Sequence, residues 1–166
     1  MRQAARPMPI AIGTTAPDFE LPSNLLENDR PGKKVRLSDY RGKKNVVLAF
    51  YPLDFSPVCS GENQCFREDF SAFEKAGAQV LGISVDSTWT HMAFAKQMGL
   101  TYPLLADFQP RGDVASKYGL FHAEKGITAR ATVIVDKQGK VAYVKQQEIP
   151  EARDNKVILA ELAKLG

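Results

Sequence analysis

The stretch Phe50-Tyr51-Pro52-Leu53-Asp54-Phe55-Ser56-Pro57-Val58-Cys59 decides how this chain folds. It reads as the end of a strand, a turn and the start of a helix. The apolar run Asn45-Val46-Val47-Leu48-Ala49-Phe50-Tyr51 supplies a buried strand and Pro52 stops it. Ser56-Pro57 then has the signature of an N-cap followed by the proline-tolerant first helical position. Cys59 falls in the first helical turn, where unpaired backbone N–H groups and the positive end of the helix dipole favour a thiolate over a thiol. A cysteine so placed is poised as a nucleophile. The competing reading is a free cysteine acting as a small buried hydrophobe.

Downstream, Phe66, Phe70, Phe73 and Ala76 repeat at helical spacing, so one helix is expected from Pro57 to about Ala76, ended by Gly77 at C′. Its start is weak. Ser60, Gly61 and Asn63 are poor helix formers, glycine costing about 1 kcal/mol relative to alanine, so the two turns holding both cysteines should open more readily than the Phe-rich end. Ala78 to Val85 is near-continuously apolar, as in a strand covered on both faces. Thr88 to Met98 reads as a helix capped by Asp86 or Ser87 and stopped by Gly99, and Asp113 to Tyr118 as a short helix. Ala131–Val135 and Val141–Val144, joined by Asp136-Lys137-Gln138-Gly139, make a hairpin, and Asp154 to Leu165 a terminal amphipathic helix. Upstream, Asp18-Phe19-Glu20-Leu21 and Lys34-Val35-Arg36-Leu37 flank a long turn and form an N-terminal β-hairpin. This order predicts one α/β domain over residues 13–166, a sandwich with a mixed central β-sheet flanked by helices. A Pro-rich, loosely ordered segment at 1–12 precedes it.

With 166 residues, 44% hydrophobic and 25% charged, the chain can bury a real core as one globular domain. Its 22 basic and 19 acidic side chains are scattered and leave a net charge of +3, so no nucleic-acid partner is indicated. No apolar run reaches the length of a membrane span, and Met1 to Pro9 lacks the apolar segment of a secretory signal, so a cytoplasmic location is expected. Two cysteines do not make a disulfide framework of the small secreted kind. Cys59 and Cys65 are also too widely spaced for a structural zinc pair, and His91 and His122 complete no ligand pattern. Neither a metal nor a cofactor is expected.

Pro52, Ser56 and Cys59 stand in the spacing Pro-x-x-x-(Thr/Ser)-x-x-Cys. Glu62 follows, then Gly82-Ile83-Ser84-Val85-Asp86-Ser87, Tyr102-Pro103-Leu104-Leu105-Ala106-Asp107, Tyr118-Gly119 and Arg130-Ala131-Thr132-Val133-Ile134-Val135-Asp136. In these residues, spread over about 13–146 and in family order, the chain resembles the peroxiredoxins, thiol peroxidases on a thioredoxin-like fold. It stands between their Q-type (bacterioferritin comigratory protein) and alkyl hydroperoxidase E-like groups. The order of the matches carries more weight than any one of them.

The resemblance implies that Cys59 is the peroxidatic cysteine, which reduces hydrogen peroxide or an organic hydroperoxide and becomes a sulfenic acid. Ser56 would offer a hydroxyl to the sulfur or the peroxide, and Pro52 would shield the sulfur from water. Arg130, permanently charged, would stabilise the thiolate and hold the peroxide, with Glu62 orienting it. Outside the family, Arg130 reads as a solvated loop residue and Glu62 as an exposed carboxylate at a helix start.

Cys65 departs from the family pattern. Q-type resolving cysteines in this helix lie five residues after the first, Cys65 lies six after, and the alkyl hydroperoxidase E-like members have no thiol there. The cycle expected here, apart from the resemblance, is an intramolecular Cys59–Cys65 disulfide recycled by a thioredoxin-like donor. Six residues of intact helix rise about 9 Å and turn roughly 240°, whereas a disulfide needs Cα atoms within about 7 Å, so the weak helix start must unwind. The alternative is a one-cysteine cycle resolved by an external, low-molecular-weight thiol. Behind it stand a thiol–disulfide oxidoreductase, for which Cys-x-x-Cys is missing, and a non-catalytic thioredoxin-like binding module. A homodimer is expected, with Trp89 as a candidate contact. Otherwise Trp89 and His91 read as packing at a helix start, Arg67 as pairing with acidic neighbours, and Tyr51 and Phe55 as pocket wall. Asp54 has no reading.

Overall fold

The computed structural model of the chain describes residues 8–166, so the first seven residues of the segment expected to be loosely ordered lie outside it. Along the chain run β1 (Glu20–Pro22), β2 (Leu26–Glu27), β3 (Arg30–Pro31), β4 (Lys34–Arg36), β5 (Asn45–Phe50), α1 (Pro57–Glu68), α2 (Phe70–Lys75) and β6 (Ala78–Ser84). Then come α3 (Thr88–Met98), β7 (Leu104–Ala106), α4 (Asp113–Lys117), β8 (Phe121–His122), β9 (Ile127–Thr128), β10 (Arg130–Val135), β11 (Val141–Gln147) and α5 (Asn155–Ala163).

The central sheet has the order β11-β10-β5-β6-β7, with β5, β6 and β7 parallel and β10 antiparallel to both its neighbours. It is the mixed sheet expected from the sequence, and β1 pairs with β4 as the N-terminal hairpin. Strand β5 is buried along its whole length, and its side chains alternate between two cores. Val46, Leu48 and Phe50 point to the side covered by Phe19, Val35, Val114 and Tyr118. Val47, Ala49 and Tyr51 point to the side covered by Phe66, Phe73, Phe94, Ile158 and Leu162, and Cys59 belongs to this second core. A strand buried on both faces is what its unbroken apolar run requires.

The long helix expected from Pro57 to Ala76 is two helices. At Asp69 the backbone turns to φ −91° and ψ 7°, and the Asp69 carboxylate accepts from Asn155 Nδ2 at 3.0 Å instead of facing solvent on a continuous helix. Aspartate is a poor interior helix residue, and a tertiary partner decides the break. Phe66 and Phe73 nevertheless meet across it, with ring centroids 5.4 Å apart. Each buried phenylalanine contributes roughly 1.5–3 kcal/mol. The expected stops hold: Gly77 takes φ +68° after α2 and Gly99 φ +64° after α3, a backbone that costs glycine little. Ser87, not Asp86, caps α3 by accepting from the Thr90 N–H at 3.2 Å. Among the described residues no helix is long and apolar enough to cross a membrane.

Candidate active site

Pro52 ends β5 and is buried. Ser56 takes the extended backbone of an N-cap (φ −71°, ψ 148°) and Pro57 opens α1, as the sequence predicts. The Ser56 side chain differs from that expectation: its hydroxyl donates to the Leu53 carbonyl at 3.0 Å and caps no helical N–H. Proline at the first helical position already removes one orphan donor, so the hydroxyl is free to tie the loop. One turn further in, Cys59 is fully buried.

Its sulfur accepts from Arg130 Nη2 at 3.2 Å. Arg130 is the first residue of β10, 1% exposed, and far from a solvated loop residue. Its Nε donates to the Ile149 carbonyl at 2.7 Å and its Nη1 to Glu62 Oε1. Glu62 is equally buried on the next turn of α1 after Cys59, so helix geometry puts carboxylate and sulfur on the same side. Asn63 Nδ2 donates back to the Cys59 carbonyl at 2.9 Å, and Tyr102 donates to Asn63 Oδ1.

Arg153 completes the cluster, and sequence reasoning missed it. Its backbone N–H donates to Glu62 Oε2 at 2.7 Å and its Nε stands 3.3 Å from the same oxygen. Its Nη1 donates to the Ala131 carbonyl at 2.5 Å and its Nη2 to the Phe50 carbonyl at 2.6 Å. Burial works against the charged form of Arg153 and the Glu62 carboxylate works for it. Two guanidiniums thus meet one carboxylate, and the surplus positive charge lies against the sulfur. That excess suits an anionic sulfur and an oxygen that gains charge as it leaves.

Cys65 lies on the exposed side of α1, and both cysteines are free thiols. Partial desolvation, followed by the charges of Glu68, Asp69 and Glu62, pushes the Cys65 thiol above its usual range. Arg67, expected to pair with acidic neighbours, chiefly donates from Nη1 to the Met98 carbonyl at 2.6 Å, capping the end of α3; Glu68 stands 3.9 Å away. Trp89 is 58% exposed. His91 and Tyr51, read as packing and pocket wall, instead converge on Asp54. Tyr51 donates to Asp54 Oδ1 at 2.5 Å and His91 Nδ1 lies 2.6 Å from Asp54 Oδ2.

Comparison with known proteins agrees with this geometry. The AhpC/TSA family profile matches residues 12–144. Alkyl hydroperoxide reductase E of Mycobacterium tuberculosis is 40% identical over 154 residues, which cover 93% of this chain and 97% of that protein. Among solved structures, the reduced 2-Cys peroxiredoxin of Plasmodium vivax superposes with a TM-score of 0.84 at 30% identity, covering 93% of this chain and 81% of that one. Peroxidoxin BcpB of M. tuberculosis gives 0.81 at 31%, covering 93% and 97%. The buried cysteine at a helix start, the arginine on its sulfur and these likenesses together make the chain a member of the AhpC/TSA family, the peroxiredoxins. Peroxiredoxins are thiol peroxidases, and the chain is an oxidoreductase of that class with their thioredoxin-like fold.

Proposed function

We propose that Cys59 reduces hydrogen peroxide and organic hydroperoxides, and that Cys65 resolves the product within the same subunit. The observation that carries this reading is the Arg130 Nη2 contact on the Cys59 sulfur at 3.2 Å. The Cys59 thiolate attacks one peroxide oxygen, the O–O bond breaks, and the departing oxygen leaves as water or alcohol after taking a proton. Arg130 holds charge on both the sulfur and the departing oxygen, with Glu62 fixing its plane. Ser56 and Pro52 serve as the donor and the wall of the peroxide pocket. The sulfenic acid is then attacked by the Cys65 thiolate, an S–S bond forms and water leaves. A thioredoxin-like dithiol returns two electrons and two protons by exchange. We place this chemistry in the cytoplasm, where such donors are kept reduced.

Cys59 is buried and Cys65 exposed on the same intact helix, so the disulfide needs the Ser60-Gly61-Asn63 turns to unwind. Both cysteines fall in the tryptic peptide Asn45–Arg67. After one equivalent of hydrogen peroxide that peptide is expected to lose two hydrogens and resist alkylation. The raised Cys65 thiol sets the pH dependence. Below its pKa the thiolate fraction grows about tenfold per pH unit, so resolution should accelerate with rising pH through the neutral range. The second reading, a one-cysteine cycle with an external thiol, is favoured by the outward placement of Cys65. A lasting Cys59 sulfenic acid beside an alkylatable Cys65 would establish it.

We also assign a homodimer, since Leu53, Phe55 and Trp89 leave large apolar groups exposed on the active-site loop and the start of α3. Light scattering at micromolar concentration should return twice the 18.3 kDa chain mass; a monomer rules the dimer out.

A further inference from the structure

The group formed by buried Asp54, His91 and Tyr51 with half-buried Asp86 takes no part in the chemistry above. The hydrogen bond to the Cys59 sulfur comes from Arg130 and not from these residues, yet Asp54 sits in the middle of the loop that joins β5 to the helix start. Its carboxylate is fully buried and hydrogen-bonded to an equally buried His91 on α3. His91 Nε2 faces the Leu105 carbonyl on β7 at 3.0 Å, an acceptor only, so that nitrogen carries a proton. One further proton lies between Nδ1 and Asp54 Oδ2, 2.6 Å apart. The Tyr51 hydroxyl spends its hydrogen on Asp54 Oδ1. The Asp54 backbone N–H donates to Asp86 Oδ2 at 2.9 Å, and the Ser84 hydroxyl donates to that same oxygen at 2.5 Å. Burial, then the Asp54 charge, pushes the Asp86 carboxyl up.

The carboxylate and imidazole atoms of Asp54, Asp86 and His91 lie within 4.8 Å of one another, a spacing that could hold a cation. Both Asp54 oxygens, both His91 nitrogens and Asp86 Oδ2 already have partners, so the group is closed on itself. What it closes on is the loop. Next to Asp54, Phe55 takes φ +66°, a left-handed backbone that a bulky non-glycine residue rarely adopts. Such a conformation persists where surrounding contacts over-determine it. Here the contacts come from β5 through Tyr51, from the β6–α3 turn through Asp86, from α3 through His91, and from β7 through Leu105.

We propose that Asp54, His91 and Tyr51 are positioning residues for the peroxidase reaction: a buried clamp that holds the strained Phe55 turn and so fixes Pro52 and Ser56 relative to Cys59. The clamp works by hydrogen-bond geometry and not by its net charge. It deepens the proposed role of the loop in the peroxide pocket and rests on that reading.

A clamp of this kind tolerates an isosteric amide. In Asp54→Asn the amide oxygen still accepts from Tyr51 and the amide nitrogen donates to a neutral His91, whereas Asp54→Ala releases the loop. The test is the second-order rate constant for Cys59 oxidation by hydrogen peroxide, measured by rapid-quench alkylation and mass spectrometry on folded protein. Asp54→Ala should be slower than wild type by at least about tenfold, in line with the cost of misplacing reacting groups, and Asp54→Asn should recover to within about threefold. Tyr51→Phe, which removes one hydroxyl and keeps the ring, should lose about threefold or more and supplies the answer if Asp54→Ala does not fold. Wild-type rates in Asp54→Ala or in Tyr51→Phe overturn the proposal, as does an Asp54→Asn protein as slow as Asp54→Ala. Failure of the wild-type protein to oxidise at Cys59 would instead strike at the proposed function itself.

Discussion

Replacing Cys59 by serine is expected to abolish peroxide turnover, by at least about 10⁴-fold, the scale seen when a covalent nucleophile is removed. A hydroxyl is not ionised near neutral pH and attacks peroxide oxygen poorly, so nothing else in the cluster can take over the first step. The change is small enough to leave the fold in place. The serine oxygen would occupy a fully buried position and accept from Arg130 Nη2, which reaches the sulfur at 3.2 Å in the native protein. Consumption of hydrogen peroxide by protein plus a dithiol reductant measures it directly. Turnover at the wild-type rate would remove Cys59 from the mechanism and with it the whole cycle.

The second large effect belongs to Arg130→Met. Losing the donor proposed to serve the departing oxygen should cost about 2–4 kcal/mol of transition-state stabilisation, or roughly 30- to 10³-fold in the rate of Cys59 oxidation. The site adds a complication that the sequence concealed. Arg130 and Glu62 form an ion pair whose side chains are 2% and 3% exposed, so methionine also strips a partner from a buried carboxylate. Arg153 remains on Glu62 and limits the loss. The two effects separate in the double variant Arg130→Met/Glu62→Gln, which leaves buried Arg153 without its carboxylate and should lose further thermal stability relative to Arg130→Met while its oxidation rate stays low. If stopped-flow oxidation of Arg130→Met matched wild type, Arg130 would be a structural ion-pair partner and nothing more.

What could be read from the sequence follows a physical line. Strand β5, the Pro57 helix start, the Gly77 and Gly99 stops and the β10–β11 hairpin are local, each set by a run of apolar residues and a residue with a special backbone. Cys59, Glu62 and Arg130 were legible through the spacing and order of short motifs. Arg153 was not, because its partners Glu62, Ala131 and Phe50 come from three distant segments, and an arginine in a polar loop looks solvated in isolation. Asp54 and His91 failed for the same reason. Each is an ordinary surface residue by type, and only the approach of α3 to the β5–α1 loop buries them together. The break at Asp69 likewise depends on Asn155, near the other end of the chain.

The unequal exposure of the two thiols gives the native protein a practical asymmetry. Cys59 is fully buried while Cys65 faces solvent, so a bulky maleimide dye offered to the reduced, folded protein should couple at one position, on the outer side of α1. The label would spare Cys59, the sulfur proposed to meet peroxide. It would also occupy the helix that has to unwind for a disulfide, and so report optically on that opening in a protein unable to finish it.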